Sequence, residues 1–158
     1  MNLDKKLARL LIQHRKTIST AESCSGGLLA HRLTNIPGSS AYFKLGLVTY
    51  HNDAKSQLLK IPAKIIKKYG AVSRPVSVLM AKNIKKILKA DFGVGITGIA
   101  GPTGGTPHKP VGLTFVAVST PTKTICLKCL FRGTRLQIKN QAATKAIQLL
   151  LKYFKSYE

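Results

Sequence analysis

Residues 17–33 read TISTAESCSGGLLAHRL, and this stretch decides how the rest of the chain is understood. Thr17 to Ala21 is short and β-prone. The Gly26-Gly27 pair breaks that run, and LLAHRLTNI takes up helical apolar spacing, so a strand is expected to turn sharply into a helix between Ser23 and Gly26. Such a junction leaves backbone N–H groups free at the start of the helix. Upstream, Leu3, Leu7, Leu10 and Leu11 recur at helical spacing and predict an amphipathic helix over residues 3–16. Downstream, Pro37-Gly38-Ser39-Ser40 marks a turn, and AYFKLGLVTY has the content of a second strand ending near Tyr50. Asn52 to Leu59 predicts a helix, and Pro62 opens a short one over Ala63 to Tyr69. Ser73 with Pro75 opens a longer one with Val76, Leu79, Ile84 and Ile87 inward.

Phe92 to Thr97 is a third expected strand. It runs into the glycine-rich GIAGPTGGTPHKP, after which VGLTFVAVS and KTICLKCLF predict a hairpin. Thr134 to Phe154 closes the chain as a helix with Ile138, Ala142, Leu149 and Leu150 inward. Mixed strands and helices at these spacings predict a layered α/β domain, a central mixed sheet with helices on both faces. No linker or repeat divides residues 1–158, and the strand order is not readable from spacing.

A chain of 158 residues is long enough to close one core without disulfides or metal. No apolar run approaches the roughly 20 residues that cross a bilayer, and MNLDKKLARLL lacks a signal peptide's apolar block, so a cytoplasmic protein with no membrane partner is expected. Three cysteines then imply a reducing setting. Cys126-x-x-Cys129 falls in a strand, which sends residues three apart to opposite faces, against a metal or redox pair. The 26 Lys and Arg against 5 Asp and Glu give a formal charge of +21, a field that attracts polyanions. The lysines are spread over nearly every segment and no aromatic residues interleave with them, so solvated helix faces are the favoured reading and a nucleic-acid partner is not expected.

Three polar segments, TAESCSGG, TYHNDAK and GIAGPTGG, sit at expected strand ends, where ligands bind in open α/β sheets. Glu22 and Asp53, two of the five acids, fall inside them. Ser23 at a strand-to-helix turn suits a nucleophile facing N–H oxyanion donors, although Ser23 or Ser25 could equally cap the helix. Cys24 is a rival nucleophile or a small buried hydrophobe. There is no Gly-x-Ser-x-Gly, so a lysine becomes the candidate base, with a pKa lowered by burial or by neighbouring cations; Lys55, close to Tyr50, is the choice. A His51–Asp53 base pair is the lesser alternative. GIAGPTGG suits phosphate cradled by backbone N–H groups but is no Walker loop, and Arg135 could add a bidentate contact.

TAESCSGG, PGSSAYF, GLVTYHNDAK, GAVS, GITGIAGPTGG, KPVG and FRGTR together resemble, in that order, the CinA C-terminal domain family of nicotinamide-nucleotide amidases. The resemblance covers nearly the whole chain. It implies a three-layer α/β/α sandwich around a central mixed sheet, hydrolysis of nicotinamide mononucleotide to nicotinate mononucleotide and ammonia, no cofactor, and the stand-alone amidase form. By position it implies Ser23 as nucleophile, Lys55 as base and Tyr50 as its relay or orienting partner. Oxyanion donors are expected near Ser25 and Gly26. Phosphate contacts are expected from the loop of Gly101, Thr103, Gly104 and Gly105 and from Arg135. Ser25 stands where threonine is frequent, and Asp53 where glutamate is. A non-catalytic protein binding pyridine nucleotides or nucleic acid is the competing expectation. A homo-oligomer is compatible with both.

Overall fold

Strand β3 (Phe92–Gly98, FGVGITG) shows how the sequence builds the layers. Phe92, Val94 and Ile96 point to one face and join its apolar core, while Gly93 and Gly95 point to the other. A Cβ at Gly93 would collide with the carbonyl of Ala81, and one at Gly95 with that of Ser77. The bare strand thus lets a helix lie with its backbone directly on the sheet. That helix is α5 (Arg74–Ile87), whose Ser77 hydroxyl donates to the carbonyls of Gly95 (3.0 Å) and Phe115 (3.2 Å).

The computed structural model describes residues 2–156. Strands β1 (Ile18–Glu22), β2 (Phe43–Val48), β3, β4 (Leu113–Ser119) and β5 (Thr124–Leu130) form one mixed sheet in the order β2-β1-β3-β4-β5. β1 runs parallel to β2 and β3, whereas β4 is antiparallel to both β3 and β5. Helices α1 (Leu3–Gln13), α2 (Leu28–Thr34) and α6 (Arg135–Lys155) cover one face. Helices α3 (Asn52–Leu59), α4 (Ala63–Tyr69) and α5 cover the other, giving the three-layer α/β/α fold. The central strands β1, β3 and β4 are buried on both faces, while edge strand β2 alternates between half-buried and exposed residues.

Some sequence expectations shift. α1 stops at Gln13, short of residue 16, and Arg15 beyond it is left-handed at φ 52°. β2 stops at Val48 because the carbonyls of Thr49 and Tyr50 leave the ladder to bind Lys55. Ile87, in the last turn of α5, is exposed, and Leu79 is only half-buried. Cys126 faces Arg74 and Ser77 of α5, Cys129 faces Lys145 of α6, and both are free thiols. Among the described residues no helix is long and apolar enough to cross a membrane, and no cluster of His, Cys, Asp and Glu could hold a metal ion.

Candidate active site

β1 is followed by α2 on one face of the sheet, and the chain then returns through α3–α5 on the other face before entering β3. The carboxyl ends of β1 and β3 therefore flank a topological switch point, where open α/β sheets hold their ligands. Ser23 is the first residue beyond β1. Its N–H donates to the Ile96 carbonyl (2.9 Å), and the Thr49 N–H donates to the Glu22 carbonyl (2.9 Å), so the tip of β1 is tied to both neighbouring strands.

The chain reverses over the next residues because Gly26 (φ 61°) and Gly27 (φ 95°) adopt left-handed conformations that favour glycine. Neither serine caps α2. Gly27 occupies the cap position, and the Glu22 carboxylate, 1% exposed, accepts the N–H groups of Leu29 (2.9 Å) and Ala30 (3.0 Å). A negative charge at a helix start is stabilised there by the helix dipole. Glu22 thus holds α2 against β1 and does not touch Lys55.

Lys55 arrives from α3, whose first turn is capped by His51 Nδ1 accepting the Asp53 N–H (3.1 Å). That leaves the His51–Asp53 pair at the solvent-exposed end of the helix, and the structure does not bring it to Ser23. Lys55 instead points inward, 1% exposed, with Nζ donating to Ser23 Oγ (3.0 Å), the Thr49 carbonyl (2.7 Å) and the Tyr50 carbonyl (3.0 Å). Burial lowers its pKa to about 8; of the two causes considered from sequence, desolvation is the operative one. On losing a proton the amine keeps two N–H bonds and gains one lone pair. The two carbonyls can only accept, so the lone pair must face the Ser23 hydroxyl, the one partner able to donate. Such geometry supplies what a serine nucleophile and a lysine general base require.

Ser23 and Lys55 open into a cavity of about 340 Å³, walled also by Tyr50, Thr97, Gly101, Thr103, Gly104 and Arg135. Arg135 is the first residue of α6, behind the Thr134–Gln137 capping box. It donates to the Gly101 carbonyl (2.8 Å) and to the Tyr50 hydroxyl (3.0 Å). The Tyr50 phenol is therefore held by Arg135, and what Tyr50 gives Lys55 is its main-chain carbonyl: it orients the amine, and no proton relay through the phenol is formed. Cys24 lines the cavity, but burial pushes its thiol up to about 11, which keeps it protonated and a poor nucleophile.

Three expected binding residues lie elsewhere. Ser25 and Gly26 open on the far side of the turn, into a separate cavity of about 370 Å³ beside Lys139. The Gly26 N–H is already donated to the Ser23 carbonyl (3.0 Å), which removes it as an oxyanion donor. Gly105 packs against Val111, whose amide nitrogen a Cβ there would approach to 2.8 Å. Conversely, Asn52, Ala71, Val72 and Thr97 line the cavity without having been singled out. The Thr97 hydroxyl donates to the Ala71 carbonyl (2.9 Å), which ties the GAVS segment to β3; GAVS was a motif without a role.

The family model described as the CinA C-terminal domain matches residues 1–154. The chain belongs to the CinA C-terminal domain family. It is 46% identical over 151 residues to a CinA-like protein of Koribacter versatilis, covering 96% of this chain and 36% of that one. The chain thus spans little more than a third of the length of the curated relatives it matches. Solved CinA structures share the fold at full length. A competence/damage inducible protein, CihA, of Agrobacterium tumefaciens aligns with TM-score 0.90, 37% identity and 96% of both chains. The competence damage-inducible protein A (ComA) of Klebsiella pneumoniae aligns with TM-score 0.94 and 29% identity, covering 99% of this chain and 97% of that one.

Proposed function

We propose that this CinA-family chain is an amidohydrolase converting nicotinamide mononucleotide and water to nicotinate mononucleotide and ammonia, a step of pyridine nucleotide salvage. The observation that carries the proposal is the 3.0 Å contact between Ser23 Oγ and a buried Lys55 amine whose pKa is lowered to about 8. At pH 7 such an amine is neutral in about a tenth of molecules, against well under a thousandth for an ordinary lysine.

Ser23 Oγ attacks the carboxamide carbon while its proton passes to the Lys55 lone pair. The same proton then goes to the departing nitrogen, the C–N bond breaks, and ammonia leaves an acyl ester on Ser23. Water attacks that ester with Lys55 again taking a proton, which passes to Ser23 Oγ as the ester bond breaks, so that nicotinate mononucleotide leaves and the free serine and neutral lysine are restored. Arg135 at the positive start of α6, with Thr103 and Gly104 in the same cavity lining, offers the nucleotide phosphate its counter-charge.

The test is ammonia release from nicotinamide mononucleotide by the wild type and by Ser23→Ala, Lys55→Met and Cys24→Ala. Ser23→Ala abolishes turnover, Lys55→Met lowers kcat by about 10²–10⁴-fold, the usual contribution of a general base, and Cys24→Ala stays active. A fully active Ser23→Ala defeats the mechanism.

A further inference from the structure

Carboxylates are few among the described residues, and all lie elsewhere than the cations considered below. Asp4 pairs with Arg32, Asp91 with Lys16, Glu22 caps α2, and Asp53 stands beside His51 at the exposed start of α3. The cationic excess therefore has no internal counter-charge, and it is locally concentrated at one place. Between α5 and the turn joining β4 to β5 lies a cavity of about 490 Å³, lined by Lys82, Lys85, Lys86 and Lys123 together with Thr120 and Thr122, and by no acidic residue. Ser119, at its floor, pairs with Gly93 at the start of β3, so the cavity sits at the opposite end of the sheet from Ser23.

The cations here are presented by rigid elements. Lys82, Lys85 and Lys86 fall on one face of α5 at spacings where like charges repel. The Lys85 ammonium is anchored on the Thr120 carbonyl (2.7 Å). Across from it the hairpin turn is fixed by Thr120 Oγ1, which accepts the N–H groups of Thr122 (3.3 Å) and Lys123 (3.0 Å), setting Lys123 opposite the helix. Four ammonium groups converging on one concavity without a carboxylate suit a ligand of several closely spaced negative charges. No aromatic ring lines the cavity to stack a base. The four lysines surround one open concavity and do not line a track along the surface, which favours a compact anion over an extended strand.

We propose that this cavity binds a compact oligophosphate, a group of two or three linked phosphates recognised through Lys82, Lys85, Lys86 and Lys123. The site is independent of the reaction proposed for Ser23.

The probe is inorganic tripolyphosphate, titrated calorimetrically into the intact protein at near-physiological salt. Lys82→Gln/Lys86→Gln/Lys123→Gln, three exposed positions, weakens binding by about tenfold or more, as expected for losing three ion pairs of modest strength. Lys64→Gln/Lys67→Gln/Lys68→Gln on α4 removes the same charge and leaves binding unchanged, as does Arg135→Gln. Equal weakening by both triple variants would mean attraction by the overall field and would overturn the site. Loss of binding in Arg135→Gln would place the anion in the Ser23 cavity and overturn it too. Orthophosphate binding as tightly as tripolyphosphate, or a single-stranded oligonucleotide binding more tightly, would overturn the assignment to a compact oligophosphate.

Discussion

Lys55 Nζ lies 3.0 Å from Ser23 Oγ and is fixed on its other sides by the carbonyls of Thr49 and Tyr50, at 2.7 and 3.0 Å. The two carbonyls settle where the lone pair of the neutral amine must go. Reactivity at Ser23 is therefore tied to the protonation of one buried lysine.

The rate should follow that protonation. kcat/KM for nicotinamide mononucleotide rises with pH, tenfold per unit well below the Lys55 pKa, and levels off above about pH 8. A pH–rate profile with its ascending limb near 6 would remove Lys55 as the base.

Stability carries the same signature. The folded pKa of Lys55, about 8, lies below its ordinary value of 10.5, so between these limits the unfolded chain binds a proton that the folded chain does not. Stability contributed at Lys55 rises with pH across that window, by up to about 1.4 kcal/mol per pH unit, and the full penalty is present below pH 8. Urea unfolding of the wild type and Lys55→Met from pH 7 to 10.5 isolates the effect as a difference in slope. Cys24 and Tyr42, whose pKa values burial also raises, are common to both proteins.

Arg135 should discriminate between phosphorylated and unphosphorylated substrates. Arg135→Ala raises KM for nicotinamide mononucleotide by roughly 10- to 100-fold, the loss of a charge-assisted contact of about 1.5–3 kcal/mol, and leaves KM for nicotinamide riboside nearly unchanged. Steady-state kinetics with both substrates check this. An equal effect on both would mean that Arg135 serves only to hold Tyr50 and Gly101.

Glu22→Ala leaves the buried Leu29 N–H and its neighbour Ala30 N–H without their acceptor. The expected cost is about 2 kcal/mol of stability, read from denaturant midpoints, together with a lowered kcat, because α2 and the Ser23 turn lose their common anchor. Glu22→Gln retains one oxygen acceptor and recovers part of both.

Much of the fold was legible because helical apolar spacing and the break at Gly26-Gly27 are local signals, whereas the close packing that Gly93 and Gly95 of β3 admit depends on where α5 lies and was not legible. Ser23 and Lys55 were legible as chemistry, one by its place at a strand end and the other by its motif. Their contact was not, since 32 residues separate them and the pairing depends on β1 lying between β2 and β3. The role of Glu22 was hidden for the opposite reason. Its partners are seven and eight residues away, but only across a glycine turn whose path no spacing rule supplies. Ser25 and Gly26 were misplaced because adjacency to the nucleophile does not say which side of the turn a residue faces. The lysines of α5 read as a solvated helix face until the β4–β5 turn supplied Lys123 opposite them.

The Arg135 guanidinium joins the carbonyl of Gly101 to the phenol of Tyr50, partners 34 and 85 residues earlier in the chain. A polypeptide emerging from the ribosome therefore carries its nucleophile and base long before it carries the wall that closes their cavity. On the amidase reading proposed above, turnover therefore waits for α6 to dock, and a chain cut short before Arg135 is silent.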